Sequence, residues 1–542
     1  MKKFTSLMLC LATIATSVSV VACSGGNVAD TPETLQIYAW EAGYGTQWCK
    51  DLVEKFKEQD WVKEKYPNLN IPEVYVNDQE TFASDQLDGG ESVNSYDLLF
   101  GSTLQDLGGE SGDLLNLTEL VYNSDVPGES IKYKDKILGS YLASNKYVNT
   151  ADYTSEEYYV ASWAGGMDGI VYNATILEQM GIKVPNTTDE LIAACAEIKA
   201  NESQNNGKYN KGFSFIQSKD TNYWEYLFPI WWAQYEGKDK YLDFYNGKDG
   251  NRLSREIFNQ KGREYALGVY EELLAYDNGY LSNKSFDYDF LTAQQNFLQG
   301  YGVFHVNGDW FDNEMRDTAE SLGITDTFKM MRLPIISELG VKLGITDAQL
   351  SATVDYVDGV TTTKPTYDLT DGYTSTDYTE EEVIAAVKEA RSFVQSIGPN
   401  HTAIIPEYAT GKEVAVDFLR FMATDIAQET YIQSTGGASL PFNYNLKEKN
   451  VQLYNSLGAL QKERHDYFYN GKFEIYTLPS ENSFPLASVS SGLRPFVNTN
   501  YYEVFTKQGN KKTPADFMTE TINAWADDAK WNSLLQRAGI TG

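Results

Sequence analysis

Aromatic rings next to carboxylates recur where this chain changes direction. Trp40-Glu41, with Tyr44 close behind, follows the apolar run Leu35 to Trp40 across a glycine-containing loop. Trp163 and Asp168 flank the small-residue stretch Ala164-Gly165-Gly166-Met167. A flat apolar ring beside a hydrogen-bond acceptor is the chemistry of binding an amphipathic, hydroxyl-bearing solute. The ring covers C–H faces and the carboxylate accepts from hydroxyls. Burying roughly 100 Å² of such faces contributes on the order of 2.5 kcal/mol, and each charge-assisted hydrogen bond about 1.5–3 kcal/mol. The chain carries 38 Tyr, 25 Phe and 10 Trp. Most must fill cores, but polar-edged rings at this density suit sugars above all.

Bond-making machinery is absent from the sequence motifs. There is no GxSxG elbow, no GxxxxGK[ST] phosphate loop and no GxGxxG fingerprint. His305, His401 and His465 are far apart, with no HExxH and no CxxC, so no His/Cys metal centre and no cofactor is expected. Asp368, Asp371 and Asp377 lack the spacing of a calcium loop and read as a solvated surface segment.

The positioning elements are strands and helices in alternation. Leu35–Trp40 predicts a first strand, and Trp48, Leu52, Val53 and Phe56 share one face of a following helix. Strands are expected at Ile71–Val76 and Tyr96–Phe100, on either side of a polar helix. Such βαβ units place ligands beyond the carboxyl ends of strands, here near Trp40–Tyr44 and Gly101-Ser102-Thr103. Two apolar runs separated by glycines at 158–173 let the chain leave one sheet and enter another. A helix over Ala174–Met180 stops at Gly181, and Thr187 with Glu190 has capping-box spacing for the next. Trp224, Leu227, Phe228 and Trp231 form a buried helical stripe, with Tyr223-Trp224 opening that helix. Residues 337–400 add a helix at Thr346–Tyr356, a polar loop and a helix over Glu380–Ile397.

Lys2-Lys3 and the apolar stretch to Val21 read as a signal peptide, too short to span a bilayer stably. Val20-Val21-Ala22-Cys23, followed by Ser24-Gly25-Gly26, resembles a bacterial lipobox, which implies cleavage before Cys23 and lipidation of its sulfur. The mature chain would hold 42 basic and 76 acidic side chains, net −34. That charge repels nucleic acid and anionic lipid, so neither is an expected partner beyond the anchor. Cys49 and Cys195 then remain, more consistent with two free thiols than with a bridge.

Five blocks in order resemble the family-1 extracellular solute-binding proteins of ABC importers. They are IVYNATILEQMGIKVPNTTDELIAACAEI, Phe297–Phe304 with Val306-Asn307-Gly308-Asp309-Trp310, Lys329–Pro334, residues 403–437, and a tail with Arg494-Pro495 and Tyr501-Tyr502. The resemblance implies a two-lobed, periplasmic-binding-protein-like α/β fold of type II, with a hinged ligand cleft. It implies an N-terminal lobe of 35–165 and 335–436 (holding the insert 337–400) and a second lobe of 166–334 and 437–542, after a signal at 1–22 and a tether at 23–34. It places Asn307, Asp309 and Trp310 in the cleft, with Trp310 foremost, and brings Tyr223, Trp224, Gly437 and Arg494 toward it. The implied function is capture of an oligosaccharide outside the membrane for delivery to two permease subunits, by a lipid-anchored monomer that is not an enzyme. A peptide or polyol ligand remains the alternative on the same scaffold. So does a surface glycosidase, since any two of 76 acids could meet, or a passive sugar-binding protein.

Overall fold

The structure, a computed structural model, describes residues 31–537 apart from 103, 105–111, 149–155, 206–212, 220, 246–247, 250–251, 368–377, 397 and 479–499. The signal, Cys23, Arg494 and the acidic residues 368, 371 and 377 lie outside the described residues.

The first sheet grows from the expected βαβ alternation. Strands β1 (Ile37–Trp40), β2 (Tyr75–Asn77) and β3 (Leu98–Ser102) pair in parallel, with β1 between the other two. The second strand is shorter and later than its apolar run. Pro72 has no N–H to donate, so the ladder starts beyond it. The helix Gln47–Glu58 buries Trp48, Cys49, Leu52, Val53 and Phe56, the predicted face. Each such side chain contributes about 1.5–3 kcal/mol on burial.

The chain then does what the glycines at 165–166 allow. Strand β4 (Ala161–Ser162) belongs to the first sheet and β5 (Asp168–Asn173) to the second. The second sheet is completed by β6 (Phe213–Phe215), β7 (Gly302–Gly308) and β8 (Phe328–Met330), in the order β8-β5-β7-β6. Between β5 and β6, helices Ala174–Met180 and Thr188–Asn205 flank Gly181, whose φ of 72° suits a residue without a Cβ. Thr187 Oγ1 accepts the Glu190 N–H at 3.2 Å, while the Glu190 carboxylate takes the N–H of Asn186, one residue earlier than a full capping box.

Two short strands, β9 (Phe393–Val394) and β10 (His401–Ile404), carry the chain back. β10 lies antiparallel between β3 and β4, and β9 pairs with β11 (Tyr476–Thr477). The helix starting at Glu380 therefore ends at Ser392 rather than Ile397, because Phe393 and Val394 are drawn into a ladder.

The insert takes a place other than the one assigned to it above. Leu339, Leu343, Leu350, Val354, Val387 and Phe393 pack into the core around the second sheet, with Tyr501, Phe505, Phe517 and Trp525 from the tail. Arg391, buried, anchors it. The guanidinium donates to Asp358 at 2.8 Å and to the Leu333 carbonyl at 2.7 Å. Ala438, Leu440 and Phe442 pack instead with the first sheet's core. Cys49 and Cys195 are free and buried, one in each core.

Candidate ligand site between the two sheets

The end of β1 opens into a tight turn in which the Gly45 N–H donates to the Ala42 carbonyl at 2.7 Å. That turn leaves Trp40 half-buried and Glu41 exposed, and drives Tyr44 inward. The Tyr44 ring meets Trp163, Trp310 and His401 edge-on, with centroids 6.3, 6.0 and 5.7 Å away. Trp40 lies 5.4 Å from His401, and His401 lies 4.8 Å from Trp163. Trp163 is the floor. It stacks on Trp48 at 5.0 Å and its indole N–H donates to the Gly101 carbonyl at 3.0 Å.

The second sheet supplies the opposite side. Asp309 and Trp310 follow β7 directly, and Trp310 caps the helix Phe311–Leu322 while packing into the first sheet's core. Tyr226 stands 6.2 Å from Trp310, and Tyr223 5.6 Å from Tyr226. Both tyrosines pack against the cores of both sheets. Two glycines permit this closeness. A Cβ on Gly43 would stand 2.6 Å from the Trp310 ring, and one on Gly166 would stand 2.7 Å from Asp309 Oδ1.

Beneath the rings lies a buried polar layer. Tyr44 donates to Asp309 Oδ1 at 3.0 Å, and Arg464 Nε sits 3.2 Å from Oδ2. Arg464 also donates to the Gly437 carbonyl at 2.8 Å and to Ser439 Oγ at 3.0 Å, and Gln461 donates to the Asp309 carbonyl. The Asp309 N–H reaches back to the Met167 carbonyl, and the Gly166 N–H donates to the Tyr141 hydroxyl, so the crossing is pinned from both sheets. Burial raises the Asp309 carboxyl to about 6 against the opposing pull of Arg464 and Tyr44, and burial raises Asp312 to about 6 as well. Burial and then Asp309 hold the Tyr44 hydroxyl well above its ordinary value.

The expected residues do not all converge. Trp40, Tyr44, Trp163, Tyr223, Asp309 and Trp310 form one constellation with Glu41 at its rim. Asp168 is buried beside it, where its charge reaches the Tyr44, Tyr141 and Tyr226 hydroxyls. Trp224 turns away into the second core, 5.3 Å from Phe215 and 6.1 Å from Tyr270. Its segment, Thr221–Tyr226, is a 3-10 turn ahead of the helix Phe228–Glu236, so neighbours 223 and 224 point to different surroundings. Asn307 is fully buried in β7, its Oδ1 accepting the Gly308 N–H at 2.8 Å. Gly437 contributes through its carbonyl, behind Arg464. Sequence reading missed Tyr226, His401, Tyr141 and Arg464. Tyr226 had a signal, since it shares a 3-10 face with Tyr223 three residues before it.

A family model described as bacterial extracellular solute-binding protein matches residues 21–331. Among solved structures, one from a study of xylan utilization by Caldanaerobius polysaccharolyticus is similar at 15% identity, covering 91% of this chain and 99% of that one, with a TM-score of 0.58. A probable secreted solute-binding lipoprotein from Streptomyces coelicolor aligns at 13% identity over 92% of this chain and 100% of that one, TM-score 0.54. The GacH receptor of Streptomyces glaucescens, solved unliganded and with acarbose, aligns at 12% identity over 93% and 98%, TM-score 0.53. No curated protein matches the sequence. At these identities the structural likeness is one of fold: two α/β lobes of the periplasmic-binding-protein type. The match of the family model over more than half the chain, on that fold, makes this protein a member of the bacterial extracellular solute-binding protein family.

Proposed function

We propose that this protein captures an oligosaccharide between its two lobes and delivers it to an ABC importer. The observation that carries the reading is the aromatic series Trp40, His401, Trp163, Tyr44, Trp310, Tyr226 and Tyr223, which runs from one sheet to the other without a break. Tyr44, Trp163, Trp310 and His401 are buried against one another here, so a sugar would reach these rings once the lobes part, and a ligand touching both lobes then shifts their equilibrium by its differential affinity. The family assignment supports binding over catalysis, and the GacH complex with acarbose is a precedent on the same fold. In this reading Cys23 carries the lipid anchor on the outer face of the membrane. Two permease subunits receive the closed form, and the protein works as a monomer.

The lobes follow the cores. The first comprises 35–165 with β10, residues 412–435 and the Ala438–Phe442 segment. The second comprises 166–394, residues 459–478 and the tail. The test is thermal unfolding of residues 24–542 against glycans, peptides and polyols. A ligand at 100 times its dissociation constant stabilises the fold by about 2.7 kcal/mol. A shift with one glycan class, lost in Trp310→Ala, is the expected result. A shift with peptides alone would overturn the ligand.

A further inference from the structure

The rings nearest the crossing are packed on one another rather than open to solvent. Tyr44 is buried, and its ring meets Trp163 of the first lobe and Trp310 of the second edge-on. Its hydroxyl crosses to the second lobe and donates to Asp309 Oδ1 at 3.0 Å. Another bond crosses beside it. Asn313 Nδ2, in the first turn of the helix Phe311–Leu322, donates to the Gly43 carbonyl at 2.9 Å. The turn after β1 is thus fastened to the other lobe at two consecutive residues.

The local sequence gives this turn freedom to move. Tyr44 stands between Gly43 and Gly45, and Gly45 has a φ of 64°, a value that suits a residue without a Cβ. The turn follows β1 rather than belonging to it. It can swing while the strand stays paired with β2 and β3.

The polar layer under the ring is only partly matched by Tyr44. One phenol brings one donor, and it meets one oxygen of Asp309. The Tyr431 hydroxyl, which the charges of Asp309 and Arg464 reach, is buried with no hydrogen-bond partner. So is Gln461 Oε1, although the same amide donates to the Asp309 carbonyl through its nitrogen. Buried polar atoms left unpaired are costly. A hydroxyl is donor and acceptor together, so it suits either of them. A group with neighbouring hydroxyls therefore fits this layer better than a lone phenol does.

We propose that Tyr44 is a built-in stand-in for the ligand, an inference that rests on the sugar-receptor reading above. In the free protein it closes the site on itself. A ligand enters by displacing the Gly43–Gly45 turn and taking over the bond to Asp309 with one of two adjacent hydroxyls, the other reaching Tyr431 or Gln461. Asn313 is a positioning residue that acts on the turn alone.

The experiment joins small-angle scattering to calorimetric titration with malto-, xylo- and chito-oligosaccharides. Both use residues 24–542, unaltered and as Tyr44→Phe, Asn313→Ala and the two combined. Without sugar, the unaltered protein is expected to scatter as a compact particle. Each variant should show a larger radius of gyration, the double variant the largest. For whichever sugar binds, Asn313→Ala should bind about ten-fold more tightly than the unaltered protein, because a self-closed population no longer competes. Tyr44→Phe should bind more tightly as well. Weaker binding by Tyr44→Phe would make the hydroxyl a ligand contact and overturn the proposal while leaving a sugar receptor standing. Identical scattering from all four proteins would overturn it too. No binding by any of the sugars would remove the receptor reading and the stand-in role with it, and the scattering would then report on the closing contact alone.

Discussion

Tyr44 and Asp309, 265 positions apart in the chain, join the two sheets through one buried hydrogen bond of 3.0 Å. The donor comes from the loop after β1 and the acceptor from the turn after β7. Each is held by its own sheet, so the bond reports directly on how the lobes sit. Tyr44→Phe keeps the ring contacts and strands a buried carboxylate oxygen. The expected cost is about 1–3 kcal/mol of unfolding free energy, read by urea titration at pH 7. An unchanged midpoint would mean that the oxygen finds another donor.

Proton linkage at the same site has a definite sign. Burial lifts Asp309 and Asp312 from 3.8 to about 6. Between those values the folded chain binds more protons than the unfolded one, so this contribution to stability falls as pH rises from about 4 to about 6. Asp358, Asp425 and Asp466 are held low by their cationic and hydrogen-bonding neighbours, and their contribution is lost on acidification below about pH 4. Buried His305 and His465, lowered to about 4, contribute the opposite slope over the same range. The test is therefore a difference: between pH 4 and 6.5 the urea midpoint of Asp309→Asn should rise more, or fall less, with pH than that of the unaltered protein. A slope equal in both proteins would place the titration elsewhere.

Glycine substitutions separate close approach from chain flexibility. Gly43→Ala and Gly166→Ala put a methyl against Trp310 and against Asp309, and overpacking of this kind costs about 1–3 kcal/mol. Gly268 lies in the helix Lys261–Leu274 with nothing near its missing Cβ. Gly268→Ala should instead stabilise by about 0.4–1 kcal/mol. Melting temperatures of the three variants check both directions. Equal changes would show that packing at the crossing is looser than described.

Arg391 tests how the insert is tied down. Its guanidinium is buried with Asp358 and two backbone carbonyls. Arg391→Met should destabilise by about 3–5 kcal/mol, because Asp358 loses its main partner in a dry place. Adding Asp358→Leu should restore part of the loss. Denaturant titration of both variants gives the comparison.

Much of the fold was legible because it rests on local signals. The face of helix Gln47–Glu58, the Gly181 stop, the crossing at 165–166 and the strand-to-tryptophan turn at 302–310 are all written within a dozen residues. What was missed depends on partners far away. Trp224 and Tyr223 are adjacent letters, and a 3-10 turn sends one into a core and the other toward the site. The insert looked like part of the first lobe because of where it falls in the chain, but its apolar face fits the second core. His401 and Arg464 carry no motif at all. Each matters through neighbours that sequence does not place.

The two cysteines sit in separate cores, and burial suppresses both thiols, with Cys195 pushed up to about 12 and Cys49 higher. In a chain beginning at residue 24 they are the whole thiol inventory. Each lobe thus carries its own silent clock. Pulsed alkylation under native conditions, read peptide by peptide, times the opening of one lobe independently of the other. A bound ligand that clamps both halves would slow both clocks together, whereas one that merely rests on a single lobe would slow one.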